Sequence, residues 1–275
     1  MRYLFFGDVV GRPGRTALCA QLPQIKAQMG ADAVIVNAEN AAGGVGLTAK
    51  IADEIFAAGA DCITLGNHAW DQGEMRKHIQ RDPRIVRAAN MAESEPGLGV
   101  YDFQVGDKLR VSVIQVLGRV FMAPGVSNPL LAVQALLDEG RQVGTGQVTV
   151  VDFHAEASSE KNIMGHFLDG KVTSVTGTHT HAPTADTWIM PGGTAYQGDL
   201  GMCGDYNSVI GAQAELLMPF YLDESPRMKF EVAMGEPTLC GICVDACERT
   251  GLATRAQPFR IGGVLGQTLA SAADQ

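Results

Sequence analysis

Eight side chains able to bind a metal ion fall directly after short apolar runs of this chain. Asp8 follows Arg2–Phe6, Glu39 and Asn40 follow Asp32–Asn37, and Asn67 and His68 follow Asp61–Leu65. His154 ends Asp152-Phe-His154 after the run from Val148, and His179 and His181 end the run from Val172. The set holds two carboxylates, two amides and four of the chain's six histidines. Singly, each has an ordinary local reading: an Asp or Asn caps a turn, and a lone buried His finds a partner. Together, at equivalent positions, they have no packing rationale, and left unpaired they would cost several kcal/mol of desolvation and repulsion. A metal centre relieves both. Carboxylate, amide oxygen and imidazole without thiolate suit Mn²⁺, Fe²⁺/Fe³⁺ or a catalytic Zn²⁺. Eight groups exceed the needs of one ion, so two ions sharing a bridging carboxylate fit better. On a strand His179 and His181 would share a face; in a loop they could splay toward different ions, and spacing does not choose.

The elements that must position these groups read as alternating strands and helices. Strands are expected at Arg2–Phe6, Asp32–Asn37 and Asp61–Leu65. After the first, a turn over Gly7–Gly14 leads into a helix to about Gln28; Thr48 caps a second from Ala49 to Ala58, and a third follows Asp71. Such βαβ units build a parallel sheet, whose ligand sites lie beyond the carboxyl ends of the strands. The second half is richer in strands: Tyr101–Val105, Leu109–Val116, Val148–Phe153, Val172–Thr176 and more between Lys229 and Phe259. Helices are expected from Asn128-Pro129 to Gly140 and from Glu156 to Leu168. The reading is an α/β fold with two sheets, residues 1–262 forming one domain and 263–275 a frayed tail.

Composition narrows the function classes. The chain has 275 residues, 46% apolar and 19% charged, and a formal net charge of −9. The acidic balance, with no basic run, argues against long nucleic acid or an anionic membrane as partner. Asp8 interrupts the N-terminal apolar run, so neither a membrane span nor a signal peptide is expected, and a cytoplasmic protein is. Gly7-Asp-Val-Val-Gly11-Arg-Pro-Gly14 lacks the Gly-Lys-Ser/Thr of a P-loop, and Val9 stands where a dinucleotide fingerprint needs Gly. Ala41-Ala-Gly-Gly-Val-Gly46 reads equally as a phosphate-approaching loop or a tight turn. Cys240, Cys243 and Cys247 fall on an expected hairpin turning at Glu248–Gly251, which puts Cys240 and Cys243 on opposite faces and argues against a cluster.

The residues Gly7-Asp8, Asn37-Ala-Glu-Asn40, Gly66-Asn-His68, His154 and Gly177-Thr-His-Thr-His181 resemble the calcineurin-like metallophosphoesterases. Gly43–Leu47, Asn67-His-Ala-Trp-Asp71, Asp152-Phe-His-Ala-Glu156 and Pro191-Gly-Gly-Thr-Ala-Tyr196 extend the resemblance to the narrower YmdB-like bacterial phosphodiesterases, over residues 1 to about 212. Val10 stands where the broad superfamily has His, and Glu39 where it has a bridging Asp; the narrow family shares both departures. The resemblance implies a four-layered α/β/β/α sandwich. It implies one metal on Asp8, Glu39, Asn40 and His181, and a second on Glu39, Asn67, His154 and His179, with Glu39 bridging and iron or manganese as the ions. It also implies hydrolysis of phosphodiesters such as 2′,3′-cyclic nucleotides. Two ions about 3.5–4 Å apart can share an attacking hydroxide, and His68 would protonate the leaving oxygen. The alternatives are a phosphomonoesterase on the same site and a non-catalytic, metal-dependent nucleotide-binding regulator. A homo-oligomer stays open.

Overall fold

In the computed structural model, which describes residues 1–122 and 124–268, the first strand β1 (Arg2–Phe6) already divides two cores. Successive strand side chains alternate, so Tyr3 and Phe5 enter one core and Leu4 and Phe6 the other, all four fully buried. The chain continues through β2 (Asp8–Val9), α1 (Gly11–Met29), β3 (Ala33–Asn37), α2 (Ala49–Ala57), β4 (Cys62–Thr64), α3 (Met75–His78) and β5 (Ile85–Val86). Then come β6 (Val100–Val105), β7 (Leu109–Leu117), α4 (Pro129–Leu136), β8 (Gln147–His154), α5 (Ser158–Leu168) and β9 (Ser174–Thr178). The remainder is β10 (Trp188–Ile189), β11 (Ala195–Gln197), β12 (Met202–Asp205), α6 (Ala214–Tyr221), β13 (Pro237–Ala246) and β14 (Ala253–Ile261).

Two sheets result. One runs β2-β12-β13-β1-β3-β4-β5 with β14 on β13, and the other β10-β11-β9-β8-β7-β6. Within them β1, β3, β4 and β5 are parallel neighbours, as are β7, β8, β9 and β11. Tyr3, Phe5, Ile35, Val111, Val113, Val148 and Val150 fill the layer between the sheets. Leu4, Val34 and Val36 pack outward on Leu18, Leu22 and Ile25 of α1 and Ile55 of α2. On the opposite side Ile114, Val151 and Phe153 pack on Val133 of α4 and on Met164 and Leu168 of α5. The layers are therefore α/β/β/α.

Several elements differ from expectation. Helix α1 starts at Gly11, so Pro13 and Gly14 lie in its first turn, where Pro is tolerated. Gly14 is there for close packing: a Cβ would collide with the Cys203 carbonyl of β12. The helix after Asp71 is a single turn, and the region from Lys229 forms strands only at β13 and β14. Strands β2, β5, β10, β11 and β12 and helix α6 have no counterpart among the expected elements. Of the C-terminal stretch expected to fray, residues 263–268 bend back on the end of β14. Gly262 N donates to Gln267 Oε1 (2.7 Å), and Arg260 bridges Thr268; 269–275 lie outside the described residues. All six cysteines are free thiols. Cys240 abuts the Tyr206 hydroxyl (3.3 Å) while Cys243 joins the helix-covered core, on the opposite face of β13. Among the described residues no helix is long and apolar enough to cross a membrane.

Candidate metal centre

The same alternation that fills the inter-sheet core delivers polar residues to its upper end. Asn37 continues the inward series of Ile35, Gln115 that of Val113, and Asp152 and His154 that of Val150. All four are fully buried. Asp152 accepts from Asn37 Nδ2 (3.1 Å), Gln115 Nε2 (3.1 Å) and Thr178 Oγ1 (2.7 Å). Thr178 Oγ1 also meets His154 Nδ1 at 2.9 Å, which fixes the ring and leaves Nε2 facing the site. This polar floor is how a buried histidine is oriented, and it sets which nitrogen is available to a ligand.

Around His154 Nε2 stand Glu39 Oε1 at 2.9 Å, Asn67 Oδ1 at 2.9 Å and His179 Nδ1 at 3.1 Å. One ring nitrogen carries at most one proton and cannot satisfy three such partners. A cation between them would; the ligand atoms of Glu39, His154 and His179 all lie within 4.8 Å of one another. Gly66 leaves the space this requires, since a Cβ there would collide with Glu39 Oε2 and approach His154 Nε2 to 2.6 Å.

A second set of donors lies beside the first. Asp8 is fully buried, its Oδ2 accepts from His179 N (3.2 Å), and its Oδ1 has no hydrogen-bond partner. The Asn40 amide donates to Gly44 O (3.0 Å), so the glycine loop is a tight turn that orients Asn40 and leaves its buried Oδ1 unpartnered. Two orphaned buried oxygens cost about 1–3 kcal/mol each unless something binds them. His181 Nδ1 bonds Ile210 O (2.8 Å), which frees Nε2. Strand β9 stops at Thr178, so His179 (φ 100°) and His181 (φ 64°) sit in a loop with left-handed backbone and splay apart. His68 N donates to Glu39 Oε2 (3.1 Å), and its half-exposed ring meets Asp71 Oδ2 through Nδ1 at 2.8 Å. The two remaining histidines stand in helices, His78 half-buried in α3 and His166 exposed on α5.

Two residues absent from the sequence reading hold the histidine loop. Asp199, buried after β11, accepts from Thr180 N (3.0 Å), Thr180 Oγ1 (2.8 Å) and Gly201 N (2.8 Å). Its charge is met by the buried Lys161 of α5, Nζ to Oδ2 2.7 Å. Thr180 lies between His179 and His181, so this pair anchors both imidazoles. The only sequence signal was an Asp flanked by glycines in Gly198-Asp-Leu-Gly201.

The electrostatics are those of a crowded cluster of buried acids and imidazoles. Burial pushes the Asp8 carboxyl up to about 6, against the pull of His181 and His154. Burial also opposes ionisation of Glu39, but the adjacent His154 charge outweighs it and holds Glu39 down to about 2. Burial disfavours the His154 cation, yet Glu39 raises it to about 9; burial and the His154 charge hold His179 down to about 3. At pH 7 the metal-free protein therefore keeps a proton on His154 that a metal must displace, because only neutral imidazole ligates. Metal affinity should rise about tenfold per pH unit toward pH 9. Calorimetry at pH 7 in buffers of different ionisation enthalpy should show proton release on binding. A pH-independent affinity would contradict this arrangement.

Comparison with known proteins identifies the family. The family model described as "YmdB-like protein" matches residues 4–259. A Bacillus subtilis (strain 168) protein named "2',3'-cyclic-nucleotide 2'-phosphodiesterase" is 40% identical over 261 residues, covering 95% of this chain and 97% of its own. A crystal structure described as a novel phosphatase from Mycoplasma pneumoniae superposes with a TM-score of 0.89 at 35% identity, over 95% of this chain and 93% of that one. A hypothetical protein from Thermus thermophilus gives 0.88 at 37%, over 96% of this chain and 100% of that one. With matches of this extent in sequence and in fold, the chain belongs to the YmdB-like family.

Proposed function

We propose that this protein is a metal-dependent phosphodiesterase acting on small phosphodiesters such as 2′,3′-cyclic nucleotides. The observation that carries the reading is the donor cluster itself: three groups crowded on His154 Nε2, beside two orphaned buried oxygens on Asp8 and Asn40. The name of the Bacillus subtilis relative supports the substrate class. Glu39, Asn67, His154 and His179 would hold one ion and Asp8, Glu39, Asn40 and His181 the other, with iron or manganese suited to the donors. Such ions supply positive charge for the phosphoryl oxygens and lower the pKa of bound water.

The chain's own residues do the rest. Glu39 reaches His154 with Oε1 and accepts the His68 backbone N–H with Oε2, which ties the two candidate ion sites to the proton donor. Asp71 engages His68 Nδ1, leaving Nε2 to protonate the departing oxygen. An alkoxide needs that proton and p-nitrophenolate scarcely does. His68→Ala should therefore slow an alkyl diester by about 10²–10⁴-fold and a p-nitrophenyl ester far less. Equal losses on both esters would remove His68 from this role. Diester turnover well above that of the matching monoester separates this reading from a phosphomonoesterase.

A further inference from the structure

A cleft of about 220 Å³ opens at Asn67, one of the residues crowded on His154. Its walls carry the apolar side chains of Trp70, Met91, Leu117, Met122 and Val126 beside the polar Asn67 and Glu95. The charged group on its lining is Glu95, whose Oε2 is paired with Arg76 Nη1 at 2.7 Å. The Arg76 guanidinium in turn lies 4.7 Å from the centroid of the Trp70 ring. The arginine therefore neutralises the carboxylate and steadies the indole, and its charge is already met.

The chemistry of a cyclic ester determines what must lie near this cleft. Both ester oxygens belong to the same nucleoside, and in-line displacement puts the leaving oxygen opposite the attacking one. The nucleoside must then lie on the side of the proton donor, His68, two residues before Trp70. A second phosphate would meet Glu95 there, with no free cation among the described lining residues. A flat, uncharged ring would meet an indole and two methionines. A second cleft, beside His181, carries the cationic Arg260 on its lining, and its Tyr206 is held through its hydroxyl, which accepts from Met202 N (2.8 Å).

We infer that the Asn67 cleft takes the nucleobase of the substrate, with Trp70 as its stacking wall; this rests on the phosphodiesterase reading above. Trp70 is thus a specificity-determining residue. Base–aromatic stacking is tolerant of base identity, so the cleft recognises that a base is present more than which one it is.

The test compares 2′,3′-cyclic AMP with ethylene glycol cyclic phosphate, the same five-membered ester without a base, on the Mn²⁺-loaded protein. Wild type should prefer the nucleotide by roughly 10- to 100-fold in kcat/KM, mostly through KM. Trp70→Ala should collapse that ratio toward one, and Trp70→Phe should keep most of it. The chain has two tryptophans, so in Trp188→Phe protein the emission reports Trp70 alone, and adenosine 3′-phosphate should quench it. Equal wild-type rates on the two esters, a preference that survives Trp70→Ala, or no quenching would overturn the assignment while leaving the phosphodiesterase reading intact. Hydrolysis of neither ester would instead overturn that reading, and this inference with it.

Discussion

Glu39→Gln should reduce metal-dependent phosphodiester hydrolysis by about 10²–10³-fold or more while preserving the fold. The substitution keeps the side chain's shape and one acceptor oxygen. It removes the charge that faces His154 Nε2 at 2.9 Å and one of the two carboxylate oxygens that a bridging role would use. Losing one preorganised electrostatic contact in a desolvated site commonly costs about 3–4 kcal/mol of transition-state stabilisation, and this residue would serve two ions at once. The metal-free variant offers a second readout. Without Glu39 the buried His154 loses the charge that raises it, so its proton should be lost at lower pH. Metal content by mass spectrometry, circular dichroism and turnover would be measured on the same preparation. A well-folded Glu39→Gln protein turning over within about tenfold of wild type would exclude a bridging role. Reduced ligand affinity with no rate to lose would favour the regulatory binder.

The second large effect concerns stability. Asp199 and Lys161 are both almost fully buried and paired at 2.7 Å. Removing one partner of such a pair strands a charge and typically costs about 3–5 kcal/mol. Asp199→Ala should lose that much in denaturant unfolding, and it should also lose metal, because Thr180 is freed between His179 and His181. Lys161→Met combined with Asp199→Leu should recover much of the stability but not the metal, since the Thr180 anchor is still missing. The pH dependence has a definite sign. Burial pushes the Asp199 carboxyl up, but Lys161 and the donors from Gly201 and Thr180 outweigh it and hold the folded value below the ordinary one. The stabilisation is therefore present at neutral pH, above the unfolded value, and fades as pH falls through the folded value. An Asp199→Ala protein within about 1 kcal/mol of wild type would contradict this account of the loop.

Much of the site was legible because strands announce themselves as β-branched runs and their carboxyl ends are where polar residues collect. That rule picks out Asp8, Glu39, Asn40, Asn67, His68, His154, His179 and His181 as candidates, and the structure brings them to one end of the two sheets. The four-layer arrangement came from resemblance. Periodicity alone gave two sheets with helices, because a buried strand such as Leu4–Phe6 is apolar on both faces and does not say what covers either.

What stayed hidden has physical causes. Strands β11 and β12 are three and four residues long among glycines, which mark turns as readily as strands. Gly14 looked like a turn residue and is a packing residue. Lys161 gives no sequence signal of its role, since its partner is 38 residues away in sequence. The splay of His179 and His181 depends on left-handed backbone, uncommon outside glycine, at two positions flanking Thr180, which Asp199 holds. Asp152 has no sequence signal beyond its place in Asp152-Phe-His154, because it acts beneath the candidate ligands through Asn37, Gln115 and Thr178.

The most direct test is turnover of 2′,3′-cyclic AMP by metal-stripped protein, before and after refilling with Mn²⁺ or Fe²⁺. The expected result is no turnover when stripped and sustained hydrolysis to a nucleoside monophosphate when refilled, with about two ions bound per chain. Stoichiometric metal uptake with no hydrolysis under either ion would contradict the proposed function.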